Sequence, residues 1–202
     1  MSDNFPDTLR VDLPDSPATK SLPERKVAGE GAASAEYAAE LLTAPGALMQ
    51  LTLDEARMVV SYMHPKQIGA GATFIREGDA RQNDFMLLLL EGEVTVENSA
   101  VRKSEPVTIG VLGPGSLIGE VGLLDAAPRS ASCTANSSVR CAVLTREALE
   151  RLIDDHPRIS AKFLLAVSAR VATRLRETSR KLKLYSRLAS TMQQEIDQLH
   201  GP

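Results

Sequence analysis

Aromatic residues are scarce in this chain of 202 residues: four Phe, three Tyr and no Trp. That argues against a nucleic-acid module that stacks bases on several exposed rings. A strong charge of one sign is also missing. The formal net charge is -3, so no overall basic field steers the protein to DNA or to an anionic membrane. The longest unbroken apolar run, Phe85 to Leu90, has six residues, far short of a membrane span. The N-terminus lacks the basic and apolar regions of a signal peptide, which points to a cytoplasmic protein. There are only two cysteines, Cys133 and Cys141, so no disulfide framework is expected. Both fall on expected strands and read as buried, inert thiols. His64, His156 and His200 are scattered, and neither they nor the cysteines have zinc-ligand spacing. No nucleophile–base pair or carboxylate pair stands out, so the chain does not read as an enzyme.

What is present falls into three segments. Residues 1–32 hold four prolines and many small or charged residues with no sustained apolar period, and are expected to be a disordered tail. Residues 33–157 begin with helical patches near 33–42 and from Thr52. Thr52 and Glu55 have the spacing of a capping box. From Lys66 to Thr145 short apolar stretches alternate with Gly, Asn, Asp and Pro. Strands are expected near 66–70, 72–76, 84–91, 93–97, 106–112, 131–135 and 139–144, with an exposed loop at 97–105. The fold class is therefore mainly β with flanking helices: an antiparallel β-roll, or jelly roll. Thr145 can cap a short helix over 146–155.

Residues 158–202 read as one long helix, free of Pro and Gly as far as Leu199. Val171, Leu175, Thr178, Leu182, Tyr185, Ala189, Met192, Ile196 and Leu199 alternate at spacings of four and three, the seam of a coiled coil. A helix of about 40 residues spans about 60 Å, more than one roll of this size can cover. Self-association, most simply as a homodimer, is expected. Between Arg158 and Arg187 nine Lys or Arg face one acid, Glu177. Such a run reads first as a solvated face, and nucleic acid is disfavoured as its partner.

The chemistry is carried by Gly113-Pro-Gly-Ser-Leu-Ile-Gly-Glu-Val-Gly through Pro128-Arg129-Ser130-Ala131. Glycines let backbone N–H groups approach a ligand, and a helical turn starting near Gly119 aims several at one point. Arg129 supplies a planar charged fork suited to phosphate. Beside it Glu120 would repel phosphate unless it meets a hydroxyl, as a ribose provides; the combination asks for a sugar-phosphate. The glycine spacing is wrong for a Rossmann loop, and neither a P-loop Lys nor a nucleophile elbow is present.

Over about 51–184 the chain resembles the cyclic-nucleotide-binding domain family. The match is densest in Gly71-x-x-Phe-Ile-x-x-Gly78-Asp79, Phe85-x-Leu-x-x-x-Gly92-x-Val94 and the segment from Gly113 to Ala131. The resemblance implies a β-roll with helices at its ends. It also implies that Arg129 and backbone N–H groups hold the cyclic phosphate, with Ser130 adding a hydroxyl. Glu120 would accept from the ribose 2′-hydroxyl, and Gly119 and Glu120 would offer backbone contacts. Within the family the pattern is most similar to the bacterial catabolite activators, through Arg174-Leu-Arg-Glu-Thr178-Ser179. There the Thr and Ser bind adenine, one from each subunit, and Thr178 here falls on the seam with Ser179 beside it. A seam Thr can also simply set register.

One departure matters. Only 15 residues follow Arg187, and they continue the heptad, so a helix-turn-helix is not expected within these residues. The expectation is a cyclic nucleotide receptor, with cyclic AMP favoured and cyclic GMP open. It would need no cofactor and no metal, and would signal through an unknown downstream protein partner or a conformational change. The rival readings are an interaction scaffold that binds no ligand, and a receptor for a cyclic dinucleotide such as cyclic di-GMP.

Overall fold

The computed structural model describes residues 28–44, 51–99 and 106–199. Two helices come first, α1 (Ala28–Thr43) and α2 (Leu53–Ser61). Eight strands follow, with a short helix α3 (Glu120–Asp125) between the sixth and seventh. One antiparallel sheet has the order β1 (His64–Ile68), β8 (Val139–Thr145), β3 (Phe85–Glu91), β6 (Leu117–Ile118). The other has the order β2 (Thr73–Ile75), β7 (Ser132–Ala135), β4 (Val94–Ser99), β5 (Pro106–Leu112). Helices α4 (Arg146–Asp155) and α5 (Pro157–Leu199) complete the chain. This is the antiparallel β-roll with flanking helices and a long C-terminal helix.

The apolar run on β3 explains the layering. A strand buried on one face alternates; one buried on both reads as a continuous apolar stretch. Leu87 and Leu89 enter the core between the sheets with Ile68, Val94, Ile118, Cys133, Cys141 and Val143. Met86, Leu88 and Leu90 point to the other side, into a core with Leu42, Val59, Leu144, Leu152 and Phe163. The first sheet is thus covered by the second sheet on one face and by helices on the other.

The helix ends follow local chemistry. Thr52 and Glu55 form the capping box, the Thr52 hydroxyl accepting from the Glu55 N–H at 3.3 Å and the Glu55 carboxylate from the Thr52 N–H at 2.9 Å. Thr145 caps α4 through the Ala148 N–H at 3.2 Å. His156 and Pro157 separate α4 from α5, Pro standing where its missing N–H costs nothing.

The differences from the sequence reading concern the start, the end of β4 and the sixth strand. Helix α1 begins at Ala28, inside the stretch 1–32 expected to be tail. Six of its sixteen residues are Ala, and it buries Ala38, Ala39 and Leu42 in the core it shares with α2. The rest of that stretch lies outside the described residues, as do residues 100–105 of the loop expected at 97–105; Asn98 and Ser99, expected in that loop, instead extend β4 by pairing with Val107 and Pro106 of β5. Strand β6 has only two residues and was not expected; no alternation can show in so short a segment.

Helix α5 is held at its beginning, where Ser160, Phe163, Ala166 and Val167 are buried. The Lys162 ammonium donates to the Glu55 carboxylate of α2. From Thr173 to Ile196 every residue is exposed in the single chain. Among the described residues no helix is long and apolar enough to cross a membrane.

Candidate functional site

The site starts from the turn between β6 and α3. Gly119 caps α3 with φ 83°, in the left-handed region that glycine enters without penalty. It is also crowded: a Cβ there would lie 2.7 Å from Arg129 Nη1 and 3.0 Å from the Phe85 carbonyl oxygen. A glycine is therefore required twice over, by conformation and by space. The first N–H groups of α3 have no acceptor within the helix, and this turn lines a cleft.

The segment after α3 brings Arg129 beneath that turn. Its backbone is tied to the β2–β3 connection, Arg129 N–H donating to the Asp79 carbonyl at 3.0 Å and Gly78 N–H to the Arg129 carbonyl at 2.7 Å. The Asn83 amide donates to the Ala126 carbonyl at 2.5 Å and to the Ala127 carbonyl at 3.1 Å. The Arg129 side chain is 5% exposed and donates to three carbonyls: Gln82 through Nε at 2.9 Å, Gly119 through Nη1 at 3.0 Å and Phe85 through Nη2 at 2.9 Å. Its guanidinium also lies over the Phe85 ring, 4.5 Å from the centroid. Burial lowers its pKa from the ordinary guanidinium value; nearby negative groups, Asp84, Asp79 and Glu120 among them, act the other way. A guanidinium has five N–H groups, so two remain after the three carbonyls are served.

Glu120 is 1% exposed, the most buried charged residue described, and a charge so placed needs a partner. It has one from a distant element: Arg174 Nη1 of α5 donates to Glu120 Oε1 at 2.7 Å. This pair ties the long helix to the cleft. Cys133 lines the cleft floor, and burial pushes its thiol up to about 11, so it is neutral at physiological pH. The Cys141 thiol, in the same core, is likewise raised to about 11 by burial.

The cleft is small, about 80 Å3, and opens to solvent. Ile75, Val96, Leu112, Leu117 and Ile118 form its apolar wall, and Gly119, Glu120, Arg129, Ser130 and Arg174 its polar side. Four expected site residues, Gly119, Glu120, Arg129 and Ser130, thus share one cleft. Thr178 and Ser179 stand outside that lining; the Thr178 hydroxyl donates to its own helix, to the Arg174 carbonyl at 2.9 Å. Arg174 is the residue that sequence reasoning left out. Its place one turn before Thr178, on the same face of the helix, was the available signal.

Comparison with known proteins locates this arrangement. Residues 65–156 match the cyclic nucleotide-binding domain family. The chain is 32% identical over 136 residues to the cyclic AMP receptor protein of Thermus thermophilus, covering 67% of this chain and 60% of that protein. It is 29% identical over 143 residues to a CRP-like cAMP-activated global transcriptional regulator of Mycobacterium tuberculosis, covering 71% and 61%. The chain thus spans about three-fifths of the length of these curated relatives. The crystal structure of a cyclic nucleotide-binding domain from Methylobacillus flagellatus superposes with a TM-score of 0.65 at 30% identity, covering 75% of this chain and 83% of that one.

Proposed function

Because the chain belongs to the cyclic nucleotide-binding domain family, we propose that it is a receptor for a cyclic mononucleotide, with cyclic AMP preferred over cyclic GMP. The observation that carries this is the cleft, lined by the buried carboxylate of Glu120 at the start of α3 and by the buried guanidinium of Arg129, bonded to the Gly119 carbonyl at the cap of that helix. A cyclic phosphate would meet the two remaining N–H groups of Arg129, the leading N–H groups of α3 and the Ser130 hydroxyl. Glu120 has lone pairs beyond the one that Arg174 uses, and a ribose 2′-hydroxyl would donate to them. The apolar wall would cover the face of the sugar and base.

The purine would be read by Thr178 and Ser179. In a single chain both are exposed on α5, and Thr178 lies on the apolar seam. Pairing of two chains along that seam would bring hydroxyls of the partner's helix toward each cleft. The reading is thus a homodimer, with residues 33–157 as the ligand-binding roll and 158–202 as the pairing helix. Signalling would run through the Arg174–Glu120 contact. A ligand competing for Glu120 changes what holds α5 to the cleft, and so biases the helix arrangement by its differential affinity for the two states. The output of these residues would be a conformational change or a partner protein, without catalysis and without direct DNA contact, in the cytoplasm.

Calorimetry with cyclic AMP, cyclic GMP and cyclic di-GMP tests the reading. Cyclic AMP is expected to bind tightest, and Thr178→Ala with Ser179→Ala to lower cyclic AMP affinity more than cyclic GMP affinity. No binding of any of the three would leave an interaction scaffold, and tightest binding of cyclic di-GMP would change the ligand class. Unchanged selectivity in the double variant would show that the ligand is read wholly within the roll.

A further inference from the structure

We propose that the outward face of α5 docks an acidic amphipathic helix of a partner protein, which rests on the reading of the chain as a receptor that signals through a partner. The observation is a second stripe on α5. Arg176, Arg180, Lys183 and Arg187 are spaced four, three and four residues apart, which places them in one line along about 16 Å of helix. The seam of Leu175, Leu182, Tyr185, Met192 and Ile196 follows the same spacing on the opposite side. Pairing along the seam therefore leaves the basic stripe pointing outward. All four cations are exposed. Arg176 donates to the Thr173 hydroxyl of its own helix at 2.9 Å, and none of the four takes part in the ion pairs among the described residues.

Such a stripe works against the helix that carries it. Arg176 with Arg180, and Lys183 with Arg187, are like charges at i,i+4, an arrangement that destabilises a helix. Glu177, the single acid between Arg158 and Arg187, relieves only one end. The stripe also has an apolar neighbour. Leu184 is 64% exposed, off the seam and beside Arg180 and Arg187 on the helix surface; Leu188 follows one turn on, 57% exposed. A basic line next to an apolar line is the complement of a helix with acids at i, i+4, i+7 and i+11 and apolar residues on the adjoining face.

Two features favour protein over nucleic acid as the occupant. Phosphate contacts make no use of exposed leucines, and no aromatic ring stands on this face for a base to stack on; Tyr185 belongs to the seam. In a parallel pair the two stripes face away from each other, so one duplex meets only one of them. Two partner helices, one on each side, use both.

The test uses fluorescence anisotropy with the full chain and three probes. One is a synthetic helix with four Glu at the stripe spacing and Leu on the adjoining face. The second is a scrambled peptide of the same composition, and the third a short DNA duplex. The ordered peptide is expected to bind at least about tenfold tighter than the other two. Arg180→Gln with Lys183→Gln is expected to weaken it about tenfold, and Leu184→Ser several-fold, with dimerisation and cyclic AMP binding unchanged. Equal binding of the scrambled peptide, tighter binding of the duplex, or indifference to these substitutions would overturn the proposal. Peptide binding by a chain that fails to bind cyclic AMP would support the docking face while striking down the receptor reading, so the two fail separately.

Discussion

Arg129 is asked to do two things with one side chain. Its three bonds to the Gln82, Gly119 and Phe85 carbonyls join the β6–α3 turn to the β2–β3 connection, and the residue also lines the cleft, where its two remaining N–H groups would serve a ligand. Lysine keeps the charge but has a single nitrogen and no planar fork. Arg129→Lys is therefore expected to weaken cyclic AMP binding by about tenfold or more and to lower the melting temperature as well. Calorimetry and thermal denaturation of the same variant separate the two effects, and full affinity in Arg129→Lys would remove Arg129 from the ligand site. Glu120 has a narrower part. Glu120→Gln keeps the shape and loses the charge pair with Arg174, and is expected to reduce discrimination against a 2′-deoxy ligand more than overall affinity.

Helix α3 is the element on which the site turns, and it is built around an arginine rather than around helix propensity. Gly122 sits in its middle, where Ala would ordinarily stabilise a helix by about 1 kcal/mol. Here a Cβ would lie 2.9 Å from Arg129 Nη1 and 3.0 Å from the Asn83 carbonyl oxygen. The Gly122 carbonyl also accepts from Arg146 Nη2 at 3.0 Å. Gly122→Ala is expected to lower the melting temperature and to weaken ligand binding together, because the arginine must shift. A rise in melting temperature would show that propensity outweighs the contact.

Across the whole molecule, α5 joins a packed beginning to an uncovered remainder. Phe163 and Val167 are buried in the helical core, while Leu175 and Leu182 are 66% and 68% exposed in the single chain. An apolar line of that length left in water is a liability that pairing with a second copy would remove. The flanking positions, Arg174, Ser179, Lys181 and Ser186, offer few interhelical ion pairs, so an association along the seam would rest on apolar burial. Leu182→Asp with Ile196→Asp is expected to yield monomers by light scattering without unfolding the roll. A wild-type chain that stays monomeric at micromolar concentration would sink the pairing of Thr178 and Ser179 with a partner's ligand.

The sequence by itself determined what depends on local period and chemistry. The Thr52–Glu55 capping box and the span of α4 from Arg146 to Asp155 are local chemistry, and both are found where the residues place them. Seven of the strands were legible as short apolar stretches set between Gly, Asn, Asp and Pro, the clearest being the unbroken run on β3 and the alternation on β8. The gathering of Gly119, Glu120, Arg129 and Ser130 in one cleft was legible because they lie within twelve residues of one another. The extent of α1 and the existence of β6 were not legible. The first owes its order to the core it shares with α2, and the second is a pair of residues made a strand only by its ladder to β3. Tertiary structure alone decided what faces Glu120. Arg174 lies 54 residues away, and a local period carries no information about which distant cation a buried carboxylate will find. The same holds for the three carbonyls that receive Arg129: their positions are set by the packing of β3, the turn before it and the β6–α3 turn, and a guanidinium fork reads geometry that exists only once the chain has folded.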